Sequence, residues 1–149
     1  MKNILLFLTV LSISWLQSCT DDDCGECMTP PEMFVFNVVD KVSGDNLFVN
    51  GTYDINKLKV VNVLNNKVVE YKYISENDMG YLQIQSIGWQ TEVVNVHFTI
   101  GEQTLFTFYV DAERKESDCC SFTTFSTIEI GEAEVDRDKE TGIYRILMP

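Results

Sequence analysis

Histidine and basic residues are scarce in this chain of 149 residues. It has one histidine, His97, and 11 Lys and Arg residues against 23 Asp and Glu residues, which gives a formal net charge of −12. A single imidazole excludes the catalytic and metal sites that need two or more histidines. The acidic balance excludes the basic surface by which proteins bind nucleic acids, and it offers no electrostatic attraction to anionic lipids. We therefore expect no nucleic-acid partner.

Long hydrophobic runs are also lacking, apart from residues 4–16 near the N-terminus. As a helix this run would extend about 20 Å, which is shorter than the roughly 30 Å hydrocarbon core of a bilayer. The basic residue Lys2 precedes it. A short apolar run after a basic residue is typical of a secretory signal peptide. We expect residues 1–18 to be removed and the mature chain to span no membrane.

The segment that ends this run has a specific pattern. Leu16-Gln17-Ser18-Cys19 places an apolar, a variable and a small residue before a cysteine. It resembles the lipobox of bacterial lipoproteins, and the chain as a whole resembles lipoproteins of Bacteroidetes to which no activity is attached. The resemblance implies cleavage before Cys19, lipid (palmitate) on Cys19, and a membrane partner reached through that lipid. The alternative is an ordinary cleavable signal with an incidental cysteine.

An acidic cluster, Asp21 to Asp23, follows the predicted lipidation site. It resembles the surface-export signal of Bacteroidetes lipoproteins, which implies an outer-membrane anchor with exposure at the cell surface. The alternative is a solvated tether that only extends the chain, with the domain on the periplasmic face. We interpret residues 19–31 as this lipidated, acidic tether and residues 32–149 as one domain.

Four cysteines remain besides Cys19, and they form two close pairs: Cys24 with Cys27, and Cys119 with Cys120. The compartment beyond the inner membrane is oxidising, so we predict disulfides, and we favour cross-links between the two pairs. Two alternatives are a redox C-x-x-C site and a zinc site. Neither is favoured, because the C-x-x-C lies in an acidic segment without a helix signal, and adjacent cysteines rarely both reach one ion.

The rest of the chain alternates apolar and polar residues with period two and shows no helical period. This pattern, with turn signals at a spacing of about ten residues, predicts an all-β fold. We expect an antiparallel β-sandwich (Ig-like or transthyretin-like) of about eight strands, with a small antiparallel barrel as the alternative. The expected strands cover residues 34–40, 47–49, 58–63, 68–74, 81–87, 94–100, 105–110 and 122–130, followed by a hairpin from Val135 to Met148.

One local resemblance supports the sandwich. Residues 36–47 include Val38, Asp40, Ser43, Gly44 and Leu47 in an order similar to the opening hairpin of transthyretin-like and carboxypeptidase-regulatory-like domains. The resemblance covers 12 residues. It implies a sandwich and carries no activity.

Few residues suggest chemistry. By alternation His97 points to solvent, opposite Val96 and Phe98, and no nucleophile motif accompanies it. The acids at alternate positions in 136–142 hint at calcium, but the loop lacks the glycine and glutamate of an EF-hand, so a polar turn is the preferred interpretation. A nonclassical calcium site would draw on Asp40, Asp45, Asp54 or Asp111.

Two further segments receive ordinary interpretations. The mixed-charge residues 111–118 are expected to be a solvated connection, and Trp89 is expected in the core, with an exposed sugar-stacking ring as the alternative. We therefore predict no catalytic residues, metal or cofactor, and a non-catalytic binding or structural role. The alternatives are a module that captures a glycan or protein at the cell surface, and a small envelope hydrolase or metal-dependent enzyme.

Overall fold

The structure is a computed structural model that describes residues 27–117 and 120–149. Within these residues eleven strands form two sheets that pack face to face, so the predicted β-sandwich is confirmed and the barrel alternative is wrong. The first sheet has the strand order β1-β9-β8-β7-β3-β4 and the second has the order β10-β11-β2-β6-β5. In the described part of the chain no helix is long and apolar enough to cross a membrane.

The strands have the following bounds: β1 Cys27–Met28, β2 Phe34–Asp40, β3 Leu58–Asn62, β4 Lys67–Val68, β5 Lys72–Ile74, β6 Tyr81–Ile84, β7 Glu92–Ile100, β8 Gln103–Ser117, β9 Cys120–Gly131, β10 Glu134–Arg137 and β11 Tyr144–Met148. Two single 3-10 turns, Ile55–Lys57 and Glu76–Asp78, lie in the connections. Most neighbouring strands are antiparallel, and β1–β9 and β11–β2 are parallel.

The core is dominated by phenylalanine. Phe34, Phe36, Phe98, Phe106 and Phe108 are fully buried between the sheets. The ring of Phe36 lies 5.0–5.3 Å from the rings of Phe98, Phe106 and Phe108, mostly edge to face, and Phe98 stacks on Phe106 at 4.0 Å. Such contacts add to the hydrophobic gain from burial. These phenylalanines, all on strands, therefore fill the space between the two sheets.

The predicted strand at residues 47–49 is wrong. Asn46 closes a turn there, because its side-chain oxygen accepts hydrogen bonds from the backbone N–H groups of Phe48 and Val49. Its amide nitrogen donates to the carbonyl oxygen of Gly80 at 3.0 Å and so ties the turn to the start of β6. The apolar residues of this segment, Leu47 and Phe48, are still buried, which explains why they resembled a strand.

The predicted strand at residues 68–74 is also wrong as a single element. It is divided into β4, which pairs with β3 in the first sheet, and β5, which pairs with β6 in the second. The intervening residues 69–71 carry the chain from one sheet to the other. The alternation of apolar and polar residues does not reveal where the chain crosses, because it continues with period two on both sides of the crossing.

The largest difference concerns residues 111–118, which we expected to form a loop. Residues 111–117 are the second half of β8 and pair with β9 as far as Ser117 with Cys120. The alternation of buried residues continues through Val110 and Ala112 and ends at Arg114, which is partly buried. Backbone pairing in a long hairpin therefore overrides the polar composition.

Candidate functional site where the tether joins the sandwich

The last residues of the predicted tether form β1 and lie beside the end of β9. Cys27 is paired with Cys120 and Met28 with Ser121 in a parallel register. The backbone N–H of Thr29 continues this pairing by donating to the carbonyl oxygen of Ser121 at 3.0 Å. Beyond it Pro31 is buried. The segment that leads into the domain is therefore part of the first sheet.

Arg114 fastens this segment through its side chain. The Nη1 atom donates to the carbonyl oxygen of Thr29 and to the hydroxyl of Thr123, both at 2.9 Å. The Nη2 atom donates to the hydroxyl of Ser121 at 2.7 Å. A planar guanidinium with five donors can serve several acceptors at once, which a lysine cannot do in the same geometry. Arg114 thus links the tether to both sides of the β8–β9 hairpin.

Thr123 links Arg114 to the loop after β6 through a further hydrogen bond. Its hydroxyl accepts from Arg114 and donates to the carbonyl oxygen of Gly88 at 2.6 Å. Gly88 is buried with a φ of +92°, and a Cβ atom there would lie 3.1–3.2 Å from Pro31, Thr123 and Phe125. Glycine is required here for two reasons, the backbone conformation and the close packing.

Trp89 follows Gly88 and is half exposed, so the expectation of a core tryptophan is wrong. Its side chain is 49% exposed. The indole N–H donates to the carbonyl oxygen of Gln85 at 2.8 Å, and the Arg114 guanidinium lies 5.9 Å from the ring centroid.

A shallow depression of about 350 Å³ lies next to this loop, at the edge formed by β5 and β6. It is lined by polar and charged groups with one aromatic ring: Glu70, Tyr71, Lys72, Gln83, Gln85 and Ser86. Gln85 belongs both to this lining and to the hydrogen bond with Trp89. His97 is not part of it.

Comparison with protein-family models, curated proteins and solved structures finds no match to this chain.

The predicted cysteines fall only partly within the described residues. Cys19, Cys24 and Cys119 lie outside them, as does the leader, and Cys27 is described by its backbone alone. Cys120 is partly buried at the first position of β9. The structure thus brings one cysteine of each predicted pair, Cys27 and Cys120, into adjacent register.

Of the four carboxylates considered for calcium, those of Asp40 and Asp54 are used within turns, whereas Asp111 lies on β8. Asp40 accepts from the N–H groups of Val42 and Ser43, and these bonds lower the pKa of its carboxyl group. Asp54 accepts from the N–H of Asn56, which lowers its pKa for the same reason. Among the described residues, no three His, Cys, Asp or Glu side chains come close enough together to hold a metal ion.

The loop 136–142 behaves in the same way. Asp138 accepts from the N–H groups of Thr141 and Glu140, and these bonds lower the pKa of its carboxyl group. The polar-turn interpretation is therefore confirmed for residues 138–142, whereas Asp136 and Arg137 belong to strand β10. His97 lies on β7 between the buried residues Val96 and Phe98 and is partly exposed, as alternation predicted.

The sequence did not lead us to expect that Arg114 and Thr123 connect the tether to the sandwich. A signal was present, because Val110, Ala112 and Arg114 continue the inward alternation while Asp111 and Glu113 take the outward positions. Because residues 111–118 carry both acidic and basic side chains, they were interpreted as a loop and their inward–outward alternation was not recognised.

Proposed function

We propose that this protein is a lipid-anchored protein of the bacterial outer membrane, with a non-catalytic binding or structural role. The lipobox ending at Cys19 is the basis for the anchor. The structural observation that supports the proposal is the way in which the tether joins the domain. Backbone pairing with β9 and the Arg114 hydrogen bonds hold residues 27–29 to the sandwich. This attachment leaves seven residues, 20–26, between the sheet and the predicted anchor at Cys19.

The anchor is tested by intact-mass analysis of the protein purified from the envelope of its bacterial host. We expect a chain that begins at Cys19 and carries diacylglycerol and a further acyl group. The Cys19→Ser variant should lose labelling by radioactive palmitate and leave the membrane fraction, whereas Cys24→Ser should keep both. An unmodified Cys19 or an uncleaved Met1 would contradict the proposal.

We also propose disulfides between the pair Cys24 and Cys27 and the pair Cys119 and Cys120. The parallel register of Cys27 with Cys120 supports this, because it brings one member of each pair together. Such a bond would close a loop of nearly a hundred residues, for which the chain-entropy model gives about 4–5 kcal/mol. A thiol count in denaturant without reductant should find none of the four free. Four free thiols would rule the disulfides out.

Capture of a glycan or a protein segment is the second candidate. One specific observation favours it, because the exposed ring of Trp89 stands beside a polar depression lined by two glutamines, Gln83 and Gln85. Aromatic rings and planar amides suit sugar recognition. This candidate function is tested by titrating the mature protein with oligosaccharides while the fluorescence of Trp89 is recorded. The Trp89→Phe variant, which lacks this ring, serves as the blank. In the described residues we find no specific observation that favours the enzyme alternative.

A further inference from the structure

Three large apolar side chains are exposed around the point where the tether joins the sandwich. They are Met28 at 66%, Met33 at 55% and Trp89 at 49% exposure, and we call them the tether patch. Two of them are joined through Gln85, whose carbonyl oxygen accepts from the Trp89 indole and whose side-chain amide lies 3.5 Å from the Met33 sulfur. Met33 and Trp89 therefore border one stretch of surface.

Met28 is connected to the same surface through Arg114. Met28 is the register partner of Ser121, and paired residues on neighbouring strands point to the same face of a sheet. The Ser121 hydroxyl accepts from Arg114, and the Arg114 guanidinium lies 5.9 Å from the Trp89 ring centroid. Strand register and the contacts of Arg114 and Gln85 thus place Met28, Trp89 and Met33 around one stretch of surface.

The chemistry of the tether patch suits the interfacial region of a lipid bilayer. The only polar group of Trp89 is already hydrogen-bonded, so the exposed part of its ring is apolar. Tryptophan is enriched at membrane interfaces, and flexible methionine side chains adapt to irregular apolar surroundings. Neighbouring exposed apolar side chains that share one stretch of surface mark sites of contact with proteins or membranes.

The length of the tether places this patch within reach of the membrane. Cys27 follows Cys19 by eight residues. At no more than about 3.6 Å per residue, these span at most about 29 Å even when fully extended. A domain held so near the lipid surface experiences a high effective concentration of it, which strengthens weak contacts made by a few side chains.

The negative charge of the chain favours contact with zwitterionic lipids over contact with anionic lipids. Asp21 to Asp23 lie within the tether, and the net charge of the whole chain is −12. Anionic headgroups would repel this protein, whereas zwitterionic headgroups would not.

We propose that the tether patch rests against the zwitterionic surface of the membrane that carries the lipid anchor. The sandwich is thereby oriented with its opposite end outward. β2 runs from Phe34, near the tether, to Asp40, about 20 Å away, and the turn at residues 41–45 follows it. This orientation rests on the proposed anchor, and it leaves the outward loops free to meet a partner.

The mature chain carries its own reporter for this contact. The sequence has two tryptophans, Trp15 and Trp89, and the first is removed with the leader, so Trp89 becomes the sole tryptophan. The acylated protein is reconstituted into phosphatidylcholine vesicles that contain lipids brominated in the upper part of their acyl chains. We expect a blue shift of Trp89 emission and a loss of its intensity relative to vesicles without bromine.

A matched control places the tryptophan at the opposite end of the sandwich, in the turn at residues 41–45. Val42 lies in the turn after β2 and is 95% exposed, so Val42→Trp combined with Trp89→Phe should fold and remain unquenched. Replacing Met28 and Met33 by glutamine should reduce the quenching of Trp89, with circular dichroism checking the fold. Equal quenching at both positions, or none at Trp89 in acylated protein, would overturn the orientation.

Two further results separate this inference from its premises. Mass analysis of the same preparation reports on Cys19, so a missing lipid counts against the anchor and not against the patch. A shift of Trp89 emission with oligosaccharides but not with vesicles would assign the ring to glycan capture and overturn the inference.

Discussion

The guanidinium of Arg114 lies 2.9 Å from the carbonyl oxygen of Thr29, and this hydrogen bond joins residues 85 positions apart in the chain. The same nitrogen serves Thr123, whose hydroxyl in turn donates to Gly88. Three segments that are distant in sequence therefore meet at one side chain. The tether, the β8–β9 hairpin and the loop after β6 should loosen together when this side chain is changed.

Arg114→Lys should lower the free energy of unfolding by about 1–3 kcal/mol, because one ammonium cannot replace the forked guanidinium and leaves partly buried acceptors unpaired. Urea unfolding of the domain measures this loss. Amide hydrogen exchange should accelerate at Thr29, whose N–H pairs with Ser121.

Lys115→Ala provides the matched control for Arg114→Lys. Lys115 is the next residue and forms an exposed ion pair with Glu113 at 3.0 Å. Exposed pairs contribute little, so this variant should change stability by less than about 1 kcal/mol. If the two variants lose the same stability, the role assigned to Arg114 is wrong.

Gly88→Ala should destabilise the domain by roughly 1–3 kcal/mol, since it combines a positive φ with contacts of 3.1–3.2 Å. Gly51→Ala is the control, because Gly51 also has a positive φ but nothing lies within 4 Å of its added Cβ. The difference between the two variants measures the packing alone. Thermal unfolding should rank Gly88→Ala well below Gly51→Ala, and the reverse order would refute the packing argument.

Acid should weaken the fold through its Asx turns. Backbone N–H groups lower the pKa of Asp40, Asp54 and Asp138 below the usual 3.8. A carboxyl group whose pKa is lower in the folded state stabilises the fold above its unfolded pKa, and this stabilisation is lost as the pH falls through the folded value. Stability should therefore decline below about pH 4.

A triple variant isolates this effect. Asparagine at positions 40, 54 and 138 keeps an oxygen acceptor but does not titrate, so the unfolding free energy of the triple variant should depend less on pH between about 2 and 5. Carboxyl chemical shifts measured by nuclear magnetic resonance give the three titrations directly. Asp45→Asn controls for the removal of charge. An unchanged acid dependence in the triple variant would exclude the turns as its source.

Tyr144→Phe should leave stability within about 1 kcal/mol of the parent or raise it slightly. Tyr144 is 6% exposed, and its buried hydroxyl has no hydrogen-bond partner among the described residues, so its removal leaves no acceptor or donor unpaired. Burial also raises the pKa of this phenol, although Arg137 opposes the rise. Differential scanning calorimetry of both proteins tests the expectation.

Tyr144→Ala is the informative contrast. It removes the ring that lies 5.7 Å from that of Phe36 and should cost about 3–5 kcal/mol. A large loss in Tyr144→Phe itself would mean that the hydroxyl has a role.

The sequence by itself determined the fold class and much of the core. Period-two alternation at Phe34, Phe36 and Val38, and again at Val96 and Phe98, reflects the two faces of a strand, and the structure buries all five side chains. The Asx turn at Asp138 was also predictable, because a short polar side chain bonds its own following backbone. These features depend on residues near one another in the chain.

Only the tertiary structure decided where the chain changes sheets and what lies at the junction with the tether. Arg114 and Thr29 were assigned to a loop and a tether, and nothing local indicates that they meet. Gly88 lies close to Pro31, Thr123 and Phe125, which come from two distant segments, and the next residue, Trp89, is exposed. Contacts of this kind follow from strand pairing over long separations, which composition and periodicity do not encode.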